Sequence, residues 1–233
     1  EAIRKVIKDS RTRLRQCALA IPTSMAINKI ITMPSSIPLT EMETQISIEA
    51  DQHIPYAMDE VNYDFEVLGP SFNNPNTVDV LLAGTRTENV EIRVAAAEMA
   101  GLSVEIVDTE THALELVLRT LTEELNQYES VAVVDFGATM TGITVFERGR
   151  LTFSREQGFG GRQLTEQIMQ RYGLTWHEAG LAKKEGNLPE NYISEVLEPF
   201  KESMVKHLHR FLQFYYASSQ RDSVSQILIS GGC

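Results

Sequence analysis

The residues best suited to chemistry are Asp135 and the small residues that follow it. An apolar, β-branched run at 131–134 predicts a buried strand that ends at Asp135, and 141–146 predict a returning strand. A carboxylate at a strand end, beside a tight turn with exposed backbone N–H groups, suits a phosphate and its metal ion. An ordinary β-hairpin with an aspartate at its tip is the alternative. This stretch alone does not decide between them.

Two glycine clusters and a lysine pair are further candidates for binding phosphate. Gly158-Phe159-Gly160-Gly161 leads into a predicted helix, whose first N–H groups could cradle phosphate oxygens or simply form a strand-to-helix connection. Ser230-Gly231-Gly232, directly after a predicted strand, has the same two interpretations. Lys183 and Lys184 lie on a predicted helix, where lysines more often solvate a face than bind a ligand.

Other catalytic interpretations lack their context. The five histidines (His53, His112, His177, His207 and His209) do not have metal-ligand spacing, and no nucleophile–histidine pairing is evident. Asp135-Phe136-Gly137 spells the DFG of protein kinases. The chain contains neither the catalytic-loop HRD nor the glycine loop and β3 lysine that should precede it.

Composition describes an ordinary globular chain. Its 233 residues, 42% hydrophobic and 23% charged, suffice for one large or two modest domains. A net charge of −11 argues against nucleic acid as the main partner. The one basic stretch, Arg4 to Arg15, is more often a solvated helix face than a binding patch. Two cysteines give no disulfide framework and favour a cytosolic protein, and neither a membrane span nor a signal peptide is evident.

The elements that must position these residues alternate between helix and strand. Strands are predicted at 17–21, 26–33, 62–68, 77–85, 102–107, 131–134, 141–146, 151–156 and 224–229. Helices are predicted at the N-terminus, at 40–54 with Thr40 and Glu43 as a capping box, from Thr87, at 109–125, after Gly161, at 175–185, and from Glu190 or Pro199 onward. The order is mixed α/β, with a βαββ insert at about 23–86. The chain begins inside a helical pattern and stops inside a turn, so we expect further residues on both sides to complete the core.

Three features together resemble the actin-like ATPase superfamily, which has a two-lobed, ribonuclease H-like fold. They are the hairpin at Asp135 and Gly137, the strand followed by Glu110, and Gly231-Gly232 after a late strand. The resemblance implies that Glu110 orients the attacking water, that Asp135 holds Mg²⁺, and that the last glycines contact adenosine.

A narrower resemblance covers nearly the whole chain. The segments at 48–56 (IEADQHIPY), 64–67, 79–83, 88–91, 134–141, 160–165, 178–184, 197–200 and 230–232 are similar to the PilM family of type IV pilus assembly proteins. This resemblance implies an FtsA-like cytoplasmic protein that binds ATP and Mg²⁺ between its lobes and grips the cytoplasmic N-terminal peptide of PilN. It also implies attachment to the inner membrane only through such partners, and a role in pilus biogenesis and twitching motility. Contacts with other pilus machinery and self-association belong to the same expectation.

The resemblance also implies a division of the chain and a set of site residues. The expected segments are 1–22 (first lobe, 1A-like), 23–86 (a small 1C-like insert that helps form the peptide groove), 87–128 (end of the first lobe and crossover helix), 129–173 (2A-like core), 174–222 (helical 2B-like subdomain) and 223–233 (adenosine-loop strand). The expected catalytic residues are Glu110 and Asp135. The expected cofactor-binding residues are Asp135, Gly137, Ala138, Thr139, Met140, Thr141, Gly160, Gly161, Lys183, Lys184, Gly231 and Gly232.

Departures from the superfamily pattern indicate slow hydrolysis at most. Ala138 and Thr139 stand where chaperones of this superfamily have glycines, and Thr111 replaces the proline after the catalytic glutamate. Added methyl groups limit how closely the backbone approaches a γ-phosphate. The alternatives are a working ATPase or sugar-type kinase, although the sequence shows no acceptor-side aspartate or sugar pocket, and an FtsA-like filament protein.

Overall fold

The computed structural model describes residues 1–71, 74–121, 129–219 and 221–232. The helices are α1 (Ala2–Ser10), α2 (Leu39–His53), α3 (Thr87–Met99), α4 (Glu110–Leu121), α5 (Gly161–Tyr172), α6 (Trp176–Glu185) and α7 (Glu198–Ser219). The strands are β1 (Gln16–Ile21), β2 (Ala26–Pro34), β3 (Val61–Pro70), β4 (Thr77–Arg86), β5 (Ser103–Thr109), β6 (Ser130–Phe136), β7 (Thr141–Glu147), β8 (Arg150–Gln157) and β9 (Gln226–Gly231). A π-helical turn, Ile193–Leu197, leads into α7. The chain divides into two compact units, residues 1–113 and 114–233.

The first unit contains two small sheets. β1 and β5 pair in parallel, while β2, β4 and β3 form an antiparallel sheet in that order, so β3 is an edge strand. α2 packs on the three-stranded sheet because Met42, Ile46 and Ala50 recur at helical spacing and are all buried there. The order β2, α2, β3, β4 is the predicted βαββ order.

The predicted capping box at the start of α2 is wrong. The helix begins at Leu39 after Pro38, and Pro38 makes no side-chain cap. Thr40 therefore lies inside the first turn, too late to cap it. Pro38 suits the preceding position because its fixed φ favours the extended backbone that enters a helix. Thr175, by contrast, caps α6 with Glu178 in a complete capping box.

The second unit is built around β6, the central strand of a sheet ordered β8-β7-β6-β9. Ala132 and Val134 face a large core that includes residues of α5 and α7, whereas Val133 faces a smaller cluster with Leu118 of α4. Both faces of β6 are covered, which explains its unbroken apolar sequence. β9 pairs with β6 in parallel, and the connection from β8 to β9 contains α5, α6 and α7.

The predicted helix 109–125 is confirmed over Glu110–Leu121, and its remainder lies outside the described residues. The last predicted strand extends further than expected, from Gln226 to Gly231. This extension brings Ser230 and Gly231 into register with the end of β6, where the candidate site lies.

Candidate functional site

Asp135 is exposed at the end of a strand that is otherwise buried. The parallel register places Ser230 of β9 opposite it, and the Ser230 hydroxyl donates a hydrogen bond to Asp135 Oδ1 at 2.7 Å. The second oxygen, Oδ2, lies on the turn side, 3.7 Å from the position that a Cβ on Gly137 would occupy. The carboxylate is thus oriented through one oxygen, and the other remains on the side of the turn.

The turn between β6 and β7 is closed by its own backbone. The Gly137 N–H donates to the Met140 carbonyl at 2.9 Å. A side chain at Gly137 would place its Cβ 2.8 Å from that carbonyl oxygen, so only glycine fits without movement. Ala138, Thr139 and Met140 are exposed at the tip of the turn.

The start of α5 holds this turn from one side. The Gly161 N–H donates to the Gly137 carbonyl at 3.0 Å, and the Arg162 N–H donates to the Ala138 carbonyl at 2.7 Å. A Cβ on Gly160 would lie 2.4 Å from the Gly137 carbonyl oxygen. The predicted contact of Gly160 and Gly161 with phosphate stays a prediction, but the Gly161 N–H is already bonded within the chain. Gly160, which leaves no room for a Cβ, lets the helix approach the turn.

These two hydrogen bonds also orient the N–H groups of the turn. The described part of the chain has no cis peptide bonds, and in a trans peptide the carbonyl and the N–H point in opposite directions. Because the carbonyls of Gly137 and Ala138 point towards α5, the N–H groups of Ala138 and Thr139 point away from it. Two adjacent donors are thereby presented on the exposed side of the turn, which is the arrangement that backbone anion sites use.

Three other predicted site residues have definite positions in the same unit. Lys183 Nζ donates to the Gly161 carbonyl at 3.1 Å, while Lys184 is exposed on α6. Thr141 is fully buried, and its hydroxyl donates to the Phe159 carbonyl at 2.8 Å. A cofactor contact by Thr141 would therefore have to use its backbone.

Gly231 permits the close approach of β9 to β6. Its φ is 121°, and a Cβ there would lie 2.1 Å from the Phe136 carbonyl oxygen. Gly232 follows, exposed, at the last described position. The sequence singled out Ser230 with the two glycines, but the expected site residues left it out and its hydrogen bond to Asp135 was not predicted.

Glu110 belongs to the first unit, whereas Asp135 belongs to the second. Glu110 begins α4, and its carboxylate accepts a hydrogen bond from the Thr23 N–H at 3.3 Å. The next residue, Thr111, is fully buried, and its hydroxyl oxygen accepts from Asn28 Nδ2 at 2.7 Å. The base of α4 is thus fixed to the beginning of the βαββ segment.

Asp135 is the carboxylate of the turn that would hold magnesium. Among the described residues, no group of three or more His, Cys, Asp or Glu side chains has metal-binding geometry. One carboxylate suits Mg²⁺ all the same, because this ion keeps several waters and is commonly bound by one or two carboxylates together with nucleotide phosphates. The residues present therefore fit nucleotide-borne Mg²⁺ better than a dedicated metal centre.

The first unit contains a separate cavity of about 460 Å³. None of its lining residues is among the predicted site residues. His112 lies in its wall, with Nδ1 2.9 Å from Asp108 Oδ2 and Nε2 3.5 Å from Glu66 Oε2. Asp64 adds a third carboxylate. The lining residues are Ile21, Asn62, Tyr63, Asp64, Glu66, Leu81, Ala83, Gly84, Thr85, Val90, Ile106, Val107, Asp108, Thr109 and His112. Residues of the edge strand β3 and of β5 therefore border an acidic cavity with apolar walls.

The fold and the turn together define the class of protein. A mixed α/β chain with a βαββ segment, followed by a strand–Asp–Gly–turn–strand hairpin and a parallel return strand ending in glycines, has the actin-like ATPase fold. The chain matches the family described as type IV pilus assembly protein PilM over residues 1–233, and it belongs to that family.

Solved structures similar to this chain include one complex of a PilM protein. A PilM–PilN type IV pilus biogenesis complex matches 99% of this chain at 25% identity, with a TM-score of 0.75. The chain spans 66% of the length of that relative. Ethanolamine utilization protein EutJ from Carboxydothermus hydrogenoformans is 22% identical over 60% of this chain and 46% of its own, with a TM-score of 0.43. The archaeal actin homolog Ta0583, in complex with ADP, is 14% identical over 56% of this chain and 46% of its own, also at 0.43.

No helix within the described residues is both long enough and apolar enough to cross a membrane.

Proposed function

We propose that this chain is a nucleotide-binding scaffold of the type IV pilus assembly machinery. Its second unit holds ATP with Mg²⁺ at the turn beside Asp135, and its first unit binds the N-terminal peptide of PilN. The observation that carries the nucleotide part is the braced turn, with Asp135 oriented by Ser230 on one side and the carbonyls of the turn bonded to α5 on the other.

Each residue of the turn has a definite role in this proposal. The N–H groups of Ala138 and Thr139 bind phosphate oxygens, since they point away from α5 and their direction is fixed before any ligand arrives. Asp135 Oδ2 is the oxygen that would hold magnesium, because Oδ1 is already bonded to Ser230. Magnesium, when bound with nucleotide, supplies charge neutralisation at the phosphates.

We infer slow hydrolysis at most. Ala138 and Thr139 carry side chains at the exposed tip of the turn, where glycines would let the backbone come closer to a terminal phosphate. Phosphoryl transfer depends on positioning to a fraction of an ångström. A turn whose backbone stays farther from the terminal phosphate would therefore retain binding but lose rate. Glu110 remains the proposed water-orienting residue.

The acidic cavity of the first unit is the proposed peptide site. Its carboxylates at Asp64, Glu66 and Asp108 complement the positive charge of a peptide N-terminus. β3 is an edge strand to which an extended peptide could add, and the apolar walls would accept alternate side chains. The relative with 25% identity was solved as a complex with PilN, which supports this partner. Binding it would bring a cytoplasmic protein to the inner membrane and would support pilus biogenesis and twitching.

The nucleotide part is tested with Asp135→Ala in the full-length protein. We expect binding of ATP–Mg²⁺, measured by calorimetry, to weaken at least tenfold, since one metal-directed carboxylate is lost. Asp222→Ala, an exposed carboxylate in the same unit, is the control and should bind as the parent does. Equal affinities for Asp135→Ala and the parent would remove Asp135 from the site. Rapid phosphate release would contradict the scaffold proposal and would favour a working ATPase.

The peptide part needs a separate titration. We expect Asp64→Asn with Glu66→Gln to weaken binding of the PilN N-terminal peptide about tenfold, as two complementary charges are lost. Glu41→Gln with Glu43→Gln removes the same charge from exposed positions on α2 and should leave affinity unchanged. If both double variants lose affinity equally, the cavity is not the site. If sedimentation shows ATP-dependent polymers and the parent does not bind the peptide, the filament alternative is favoured.

A further inference from the structure

A second cavity in the first unit, away from the acidic one, is lined by positive charge. Its volume is about 410 Å³, and Arg4, Lys8, Arg11 and Arg15 account for half of its lining residues. The others are Ile7, Thr12, Ala100 and Gly101, so none of the lining residues that the structure describes is acidic. This is unexpected in a chain whose net charge is −11.

The four cationic side chains that line this cavity come from α1 and from the segment between α1 and β1. Arg4 and Lys8 lie one turn apart on α1, and Arg11 follows at its C-terminal end. Arg15 lies just before β1. The Arg4 guanidinium donates to the Met99 carbonyl at the end of α3, and this bond joins α1 to the Ala100–Gly101 side of the cavity. Within the described part of the chain, no ion pair joins Lys8, Arg11 or Arg15 to a carboxylate.

The backbone holds Arg11 in place at a cost. Arg11 has φ 53° and ψ 20°, a left-handed conformation in which glycine is usual at a helix end. For any residue other than glycine this conformation is unfavourable. Its N–H donates to the Lys8 carbonyl at 3.2 Å. A cationic residue therefore stands beside the cavity at a position that glycine would adopt more easily.

Helix ends explain only part of this charge. The C-terminal ends of α1 and α3 both lie beside the cavity, and each contributes about half a negative charge. Together they balance about one of the four cations. About three positive charges remain around one open depression of the surface, where a multivalent anion would be attracted.

We propose that this cavity binds a phosphate-bearing anion, either a small phosphorylated molecule or the headgroup of an anionic phospholipid. Guanidinium groups match phosphate geometry through paired N–H donors, and lysine adds a point charge. The Thr12 hydroxyl oxygen accepts from the Leu14 N–H, which leaves the hydroxyl hydrogen available to a phosphate oxygen. The volume exceeds that of a phosphate alone, so the group to which the phosphate is attached also fits.

The test compares two double variants of the full-length protein that lose the same charge. Lys8→Gln with Arg15→Gln alters the cavity, whereas Lys5→Gln with Arg13→Gln alters exposed cations of the same stretch that do not line it. One arm titrates inorganic phosphate and glycerol phosphate by calorimetry. The other measures sedimentation with phosphatidylcholine vesicles containing about one part in three phosphatidylglycerol, against phosphatidylcholine alone.

We expect the cavity variant to lose about tenfold in affinity and the matched variant less than about twofold. Selective loss in the titration assigns a small phosphorylated ligand, and selective loss in sedimentation assigns the lipid headgroup. Equal losses in the two variants would show diffuse charge attraction and overturn the proposal. Failure of the parent to bind either probe would overturn it as well. Thermal unfolding of both variants confirms that exposed substitutions leave the fold intact.

Discussion

The turn at Asp135 and the acidic cavity, the two sites of the proposed function, are built from different groups. The turn at Asp135 relies on backbone groups whose directions are fixed by hydrogen bonds and by glycines that tolerate no Cβ. The acidic cavity relies on carboxylates and a histidine in its walls, together with the edge strand β3. The first is suited to one small, constant group such as phosphate. The second is suited to a peptide, whose side chains differ and whose backbone extends a sheet.

The largest effect should come from breaking the close packing at the turn. Gly160→Ala places a Cβ 2.4 Å from the Gly137 carbonyl oxygen, where only backbone can yield. We expect a loss of about 3 kcal/mol in the free energy of unfolding, measured with denaturant. Gly158→Ala is the matched control, since a Cβ there meets open space, and should cost less than about 0.5 kcal/mol. Similar losses for both would mean that the turn is not tightly braced.

The first unit should respond most to the loss of a buried hydroxyl. Thr111→Val keeps the shape but removes the acceptor of the Asn28 amide and a partner of the Thr109 hydroxyl. We expect the free energy of unfolding to fall by about 2 kcal/mol, because a part-buried donor is left without its acceptor. Thr120→Val, at an exposed position of the same helix, should change it by less than about 0.5 kcal/mol. A neutral Thr111→Val would show that the helix base does not depend on this bond.

A smaller effect, on the Mg²⁺ dependence of ATP binding, should show whether Ser230 orients Asp135 or stabilises the fold. Ser230→Ala removes the hydrogen bond to Asp135 Oδ1, and we expect the Mg²⁺ concentration for half-maximal ATP binding to rise about fivefold. Nucleotide affinity measured in chelator, and the unfolding midpoint, should not change. Ser230→Thr retains a hydroxyl and should restore the Mg²⁺ dependence. A shift in all three quantities would point to a structural role instead.

The smallest effect concerns pH. Burial beside the Phe159 ring, 4.3 Å away between centroids, lowers the pKa of His207 below its ordinary value of 6.5. The unfolded chain therefore binds the proton first as pH falls, so stability at this position is lost below about pH 6.5. His207→Gln should flatten the fall of the unfolding midpoint between neutral and mildly acidic pH. His209→Gln, exposed on the same helix, should keep the slope of the parent. An unchanged slope in His207→Gln would be evidence against a buried neutral histidine.

The sequence predicts the elements well where pattern and packing agree. Residues 131–134 are apolar on both faces because the sheet lies between two cores, and a continuous run shows this directly. The capping box at Thr40 fails because Pro38 already sets the start of α2, and a local pattern cannot rank two such signals. No proline directly precedes Thr175, and the predicted start of α6 forms a capping box between Thr175 and Glu178.

Sequence patterns did not predict the contacts between residues that are far apart in the chain. Gly160 and Gly161 suggest a phosphate-binding helix start, which stays a prediction, but the hydrogen bonds from Gly161 and Arg162 to the turn could not be predicted from that pattern. Lys183 lies on the predicted helix, but its bond to the Gly161 carbonyl depends on how α6 packs on α5. The acidic cavity joins residues 21 to 112, which no short motif could connect.

The pairing of Asp135 with Ser230 has a consequence for how the protein is made. The two residues are 95 positions apart, and three helices lie between them. At about 5 to 20 residues per second, a ribosome needs roughly 5 to 20 s to travel from one to the other. During that interval the nascent chain displays an unfinished turn next to a strand that lacks its parallel neighbour. Under the proposed function, full binding of ATP with Mg²⁺ would wait until this region has been synthesised, so a chain terminated before Ser230 would bind the pair less well.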